Sequence, residues 1–127
     1  MQNFRCRITH LKDRNTAYIN FKRHFWDKVK FPNSKRLRPQ YLIARVYFFR
    51  KTNGDIFMSL KDPVFLPMCK IHGIRRLQCG GRDMTSYKVN LPRRLIKKCN
   101  LEKYTIANLC RIKDYDGLLY KCDFTNE

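Results

Sequence analysis

Two stretches seventy residues apart can be laid over one another without a gap: YINFKRHFWDKVKF, Tyr18 to Phe31, and KVNLPRRLIKKCNL, Lys88 to Leu101. Apolar positions coincide, Ile19 with Val89, Phe21 with Leu91, Phe25 with Leu95, Trp26 with Ile96 and Phe31 with Leu101. Asn20, Arg23 and Lys28 fall on the identical Asn90, Arg93 and Lys98. Each copy begins with alternating polarity and then changes to helical spacing, which predicts a strand running into a short helix. In the second copy the change falls at Pro92, and the first helical turn tolerates proline because its N–H groups have no intrahelical partner. Leu91, Leu95, Ile96 and Cys99 would then share one buried face. Downstream, LIARVYFF matches TIANLCRI, and the Asn-Gly turn at Gly54 matches the Asp-Gly turn at Gly117. Each half therefore reads strand, helix, strand, turn, strand. The first half carries FPNSKRLRPQ where the second has only EKYT. One such unit leaves an apolar face and open strand edges, and joining two of them closes both.

Seven strands are expected in all. NFRCRITHL places Phe4, Cys6 and Ile8 on one side and Arg5 and Arg7 on the other. TAYINF is rich in β-branched and aromatic residues, and YLIARVYFF is the clearest strand of the chain. Asn53 and Gly54 give the signal for a tight hairpin, with IFMSL returning. TSYKVNL, TIANLCRI and LLYKCDF supply the last three, and the two helices fall at KRHFWDKVKF and PRRLIKKCNL. PNSKRLRPQ reads as a basic loop bounded by prolines, and KDPVFLPMCKIHGIRRLQCGGRDM, residues 61–84 with two prolines and three glycines, as loop with short strands, the connection between the halves falling at about 63–84. The expectation is a single domain over residues 1–127, with halves at about 4–62 and 85–124.

Charge narrows the function. Of 127 residues, 28 are Lys or Arg and 10 are Asp or Glu, a net charge of +18. A compact domain so charged repels itself, so a polyanionic partner is expected, with nucleic acid first. The opening MQNFRCRITH has no apolar run after its charges, and no run of about 18 apolar residues occurs, so neither a signal peptide nor a membrane helix is expected. The six cysteines then read as reduced thiols, in a nuclear or cytoplasmic setting. Cys69, His72 and Cys79 form a ligand-like group that Cys6 or His10 could complete as a zinc site, although the spacing is unlike paired knuckles. Cys99, Cys110 and Cys122 sit where cysteine acts as small apolar filler. No nucleophile elbow, phosphate loop or dinucleotide fingerprint is present, and Asp114 and Asp116 fit a turn, so no catalytic residues are expected.

The run YKVNLPRRLIKKCNLEKYTIANLCRIKDYDGLLYKCDF resembles the AbrB-type swapped-hairpin element: strand, Leu/Ile-Pro step, short helix, strand, turn, strand. Two copies in one chain are similar to the DNA-binding pseudobarrel of the plant B-three domain, although Lys22 stands where the first proline of that pattern would be. The resemblance implies a mainly β, closed pseudobarrel of about seven strands with two short helices and an internal twofold duplication. It further implies that double-stranded DNA is gripped in the major groove by two arms. One is LKDRNTA, with Lys12, Arg14 and Asn15; the other lies in GIRRLQCGGRD, with Arg75, Arg76, Gln78 and Arg82. Arg can fork onto guanine, and Asn or Gln can pair with adenine. Lys35, Arg36, Arg38, Arg93, Arg94, Lys97 and Lys98 would touch phosphates, which supply affinity but not sequence choice. Transcriptional regulation or genome organisation is the role so implied.

Two other classes stay open. A small RNA-binding or ribosome-associated protein would stack bases on Tyr41, Tyr47, Phe48, Phe49 or Phe57, residues whose apolar neighbours otherwise place them in a core. A viral or host-interaction protein would turn its basic face to an acidic protein.

Overall fold

The computed structural model describes residues 3–12, 15–22, 35–38, 41–51, 53–61, 70–80 and 86–127; residues 22, 35–38, 41–45, 70–80 and 86–87 are placed by backbone alone. Among the described residues nine strands form one antiparallel sheet. They are β1 (Asn3–His10), β2 (Ala17–Lys22), β3 (Lys35–Arg38), β4 (Tyr41–Arg50), β5 (Ile56–Ser59), β6 (Lys70–Gly80), β7 (Ser86–Asn90), β8 (Ile106–Arg111) and β9 (Leu119–Thr125). A helix, α1 (Arg93–Cys99), and a 3-10 turn (Leu101–Lys103) join β7 to β8. The helix expected at KRHFWDKVKF lies outside the described residues.

The strand order is β3-β4-β5-β9-β8-β1-β2-β7-β6, and β4 pairs with β6 as well, which brings the sheet round on itself as a barrel. The seven expected strands are all present, and the two additional ones arise in the proline-bounded basic loop and in the stretch expected as loop with short strands. β3 interrupts the proline-bounded basic loop. β6 occupies eleven residues of the expected connecting loop and supplies the closure, since it joins β7 to β4. Its alternation is hidden by a bulge. Phe48 faces Gly73 and Phe49 faces Ile71, so His72 is an extra residue that breaks the period of two.

Strand alternation decides what the barrel encloses. Phe4, Cys6 and Ile8 of β1, Ala17, Ile19 and Phe21 of β2, and Val46 and Phe48 of β4 are buried in one cluster. Met58, Val89, Leu109 and Tyr120 join it, and Phe4 meets Tyr120 edge to face with ring centres 6.2 Å apart. α1 closes onto this interior through Leu95 and Ile96, flanked by Leu91 and Leu101, as the helical spacing predicts. The helix stops at Asn100, which takes the left-handed conformation (φ 52, ψ 46) that asparagine tolerates better than most residues. A second, smaller cluster of Phe49, Phe57 and Leu119 lies on the opposite face of β4, β5 and β9, with Phe49 stacked on Phe57 at 5.4 Å.

Candidate nucleic-acid interface

The end of the barrel that carries α1 is assembled by contacts distant in sequence. After β1 the chain turns through residues 11–16, closed by the amide of Leu11 donating to the Thr16 carbonyl at 2.9 Å. The Leu91 amide donates to the Ala17 carbonyl at 2.9 Å, which fastens the start of α1 beside that turn. Arg93 Nη2 then donates to Thr16 Oγ1 at 3.4 Å. On the other side of the turn His10 Nε2 donates to the Tyr104 carbonyl at 2.6 Å. A carbonyl only accepts, so Nε2 carries a proton, and Nδ1 is buried with no hydrogen-bond partner among the described residues.

This packing brings Lys12 to the same end of the barrel as the cations of α1, which come from a distant part of the chain. Lys12 is exposed in the turn, and Asn15 beside it is half-buried. Arg93, Arg94, Lys97 and Lys98 are exposed along α1, and Lys103 follows in the 3-10 turn with its ammonium 5.2 Å from the Tyr104 ring. The first turn of α1 holds no acid. Arg93 and Arg94 therefore stand at the end of the helix where the backbone dipole disfavours positive charge. Arg94, Lys97 and Lys98 make no ion pair among the described residues. The exposed Asp114 and Asp116 lie in the β8–β9 turn, at the far end of β8 from α1 and about 17 Å along the strand. Both take positive φ there, 75 and 52, as residues of a tight turn.

The second expected arm is placed elsewhere. Arg75, Arg76 and Gln78 stand within β6, opposite Val46, Arg45 and Ile43 of β4, so they belong to a long paired strand and not to a loop. Gln78 also faces Lys88 of β7. Arg14 and Arg82 lie outside the described residues. The turn before β2 and the segment before β7 enter the β2–β7 ladder from opposite ends, because Tyr18 faces Asn90 while Lys22 faces Ser86. Those two pairs are about 14 Å apart along the strands. Lys35, Arg36 and Arg38 form β3, opposite Ile43, Leu42 and Tyr41.

Of the candidate zinc ligands, Cys69 lies outside the described residues, and His72 and Cys79 are backbone positions of β6, with Cys79 opposite Leu42 and Tyr87. Cys6 is buried in the barrel core, and His10 is engaged with Tyr104. Among the described residues no three His, Cys, Asp or Glu side chains come together as a metal site. Cys122 is buried, and that burial, with Cys6, Asp123 and Cys110 nearby, pushes its thiol far above the ordinary range. It stays protonated at neutral pH, neither nucleophile nor thiolate ligand. Of the aromatic candidates for base stacking, Tyr47, Phe48, Phe49 and Phe57 are all buried, and Tyr41 is placed by backbone alone. No helix among the described residues is long and apolar enough to cross a membrane.

Sequence reasoning assigned no role to the outward cations of the sheet itself, Arg5 and Arg7 of β1 and Lys88 of β7, all of which are exposed. The signal was present in the alternation of NFRCRITH. What was missing was the knowledge that β1, β2 and β7 are neighbours. Comparison with known proteins finds no family model, no curated protein and no solved structure that matches the chain.

Proposed function

We propose that this protein is a non-catalytic nucleic-acid-binding domain that engages double-stranded DNA, in transcriptional regulation or genome organisation, with the cationic end formed by α1 and the β1–β2 turn as its principal contact. The observation that carries the reading is the four exposed cations of a seven-residue helix, anchored through Arg93 and Thr16 to the turn that holds Lys12. Placing Arg93 and Arg94 against the helix dipole is locally unfavourable, and phosphate oxygens at that position would offset it.

The same reading takes the barrel as a duplicated pseudobarrel, and the strand pairings support it. Exchange β1, β2, β4 and β5 for β6, β7, β8 and β9. The pairing β1–β2 becomes β6–β7, β1–β8 becomes β6–β4, and β4–β5 becomes β8–β9. The pairings β2–β7 and β5–β9 exchange with themselves. Ile19 and Val89, equivalent in the gapless alignment, face one another in the β2–β7 ladder. In β5–β9, Ile56 faces Cys122 and Ser59 faces Leu119, the arrangement a local twofold axis requires. β3 falls wholly within the residues by which the first half is longer, and on this reading β6, as the counterpart of β1, moves the start of the second half from about residue 85 back to Lys70.

Competition binding tests the function. At matched salt a labelled duplex of about 20 base pairs should be displaced by unlabelled duplex at far lower concentration than by single strand or structured RNA. Displacement by RNA hairpins at equal or lower concentration would replace the duplex reading with the RNA-binding one.

A further inference from the structure

We propose that the outward face of β1, β2 and β7 is a phosphate-binding platform for duplex nucleic acid. This rests on the nucleic-acid reading above and extends it to a surface that neither loop nor helix supplies. Alternation turns Phe4, Cys6, Ile8, Ile19 and Val89 into the barrel, and so turns Arg5, Arg7, Tyr18, Asn20 and Lys88 outward. Register sets three of these side by side. Arg7 faces Asn20 across one ladder, and Asn20 faces Lys88 across the next. Strands lie about 4.8 Å apart, so the Arg7 and Lys88 backbones are separated by about 10 Å. One strand of a duplex carries a charge about every 3.4 Å along the helix axis, so that span covers about three phosphates.

The side chains suit phosphate. Arg7 has 79% of its side chain exposed, and its ion pair with Glu127 at 3.3 Å is itself open to solvent, so a phosphate can displace the carboxylate. Arg5 is exposed with no ion pair among the described residues. Asn20 is not free to read a base, since its amide donates to the Arg7 carbonyl at 3.2 Å and to Thr9 Oγ1 at 3.0 Å. It braces the hairpin that carries the cations. The Lys88 ammonium sits 4.8 Å from the centre of the Tyr18 ring. That contact holds the cation in place and covers a ring face on which an unpaired base would stack. The platform is therefore suited to the charged exterior of a duplex and poorly suited to the bases of a single strand. Its edge is marked by Asp123 of β9, which lies beyond β8 opposite Asn108.

Titrations from about 0.05 to 0.3 M salt, with a 20-base-pair duplex and its single strand as probes, test this on the full chain. For Arg5→Gln/Arg7→Gln/Lys88→Gln, the slope of log affinity against log salt should shrink by about 2.7, with affinity at 0.15 M about 100-fold lower. A triple variant that keeps the wild-type slope while the wild type binds duplex overturns the platform and leaves the function standing. A wild type that fails to bind duplex removes both. Tyr18→Leu separates the chemistries: a comparable, modest loss on both probes supports phosphate contact. A loss confined to the single strand identifies a stacking surface and overturns the proposal.

Discussion

Phe48→Ala is expected to destabilise the protein by about 4 kcal/mol. Phe48 is fully buried in the principal core cluster, on a strand bonded on both sides. Its neighbours across the two ladders are Met58 and Gly73, and a glycine has no side chain to fill the space a removed ring leaves. A domain of this size is stable by about 5–15 kcal/mol, so the substitution would remove a large fraction of the total. Urea denaturation gives the comparison directly: the midpoint should fall steeply while the slope stays constant. As a control, Arg94→Ala on the exposed face of α1 should change stability by no more than about 0.5 kcal/mol. Similar small effects from both would mean that β4 does not line the core.

The second large effect concerns binding. Arg94→Gln/Lys97→Gln/Lys98→Gln is expected to lower duplex affinity at 0.15 M salt by about 100-fold, with the salt slope reduced by about 2.7. The three side chains are exposed and make no ion pair among the described residues, so their removal should leave the fold intact. Anisotropy titrations over a range of salt give both quantities. Because phosphate contacts are indifferent to sequence, the loss should be equal on unrelated duplexes.

Most of the elements are legible in local sequence patterns. Alternation in NFRCRITH, the Asn53–Gly54 turn and the change of period at Pro92 each depend on neighbouring residues alone, and each corresponds to an observed element. β3 is hidden in the sequence, and β6 is legible only as short strands within loop, for physical reasons. Pro32 and Pro39 flank the first, and in the second an extra residue at His72 and glycines at 73 and 80 break the alternation. Strands of that kind are defined by their partners. The site followed the same rule. Basic residues could be counted in the sequence, but Arg93 meets Thr16 only because Leu91 bonds to Ala17, a contact between residues 74 positions apart. Similarly, the outward cations of β1 and β7 become one surface only through the intervening β2.

Amide chemical shifts of the isotope-labelled protein, followed as a 20-base-pair duplex is added, test the account at its centre. Changes should appear in the β1–β2 turn, at Lys12 and Asn15, along α1 from Arg93 to Lys98, and at Arg5, Arg7 and Lys88 on the sheet face, while the β8–β9 turn around Asp114 and Asp116 stays still. Changes centred on that acidic turn, or none at all at saturating duplex, would contradict it.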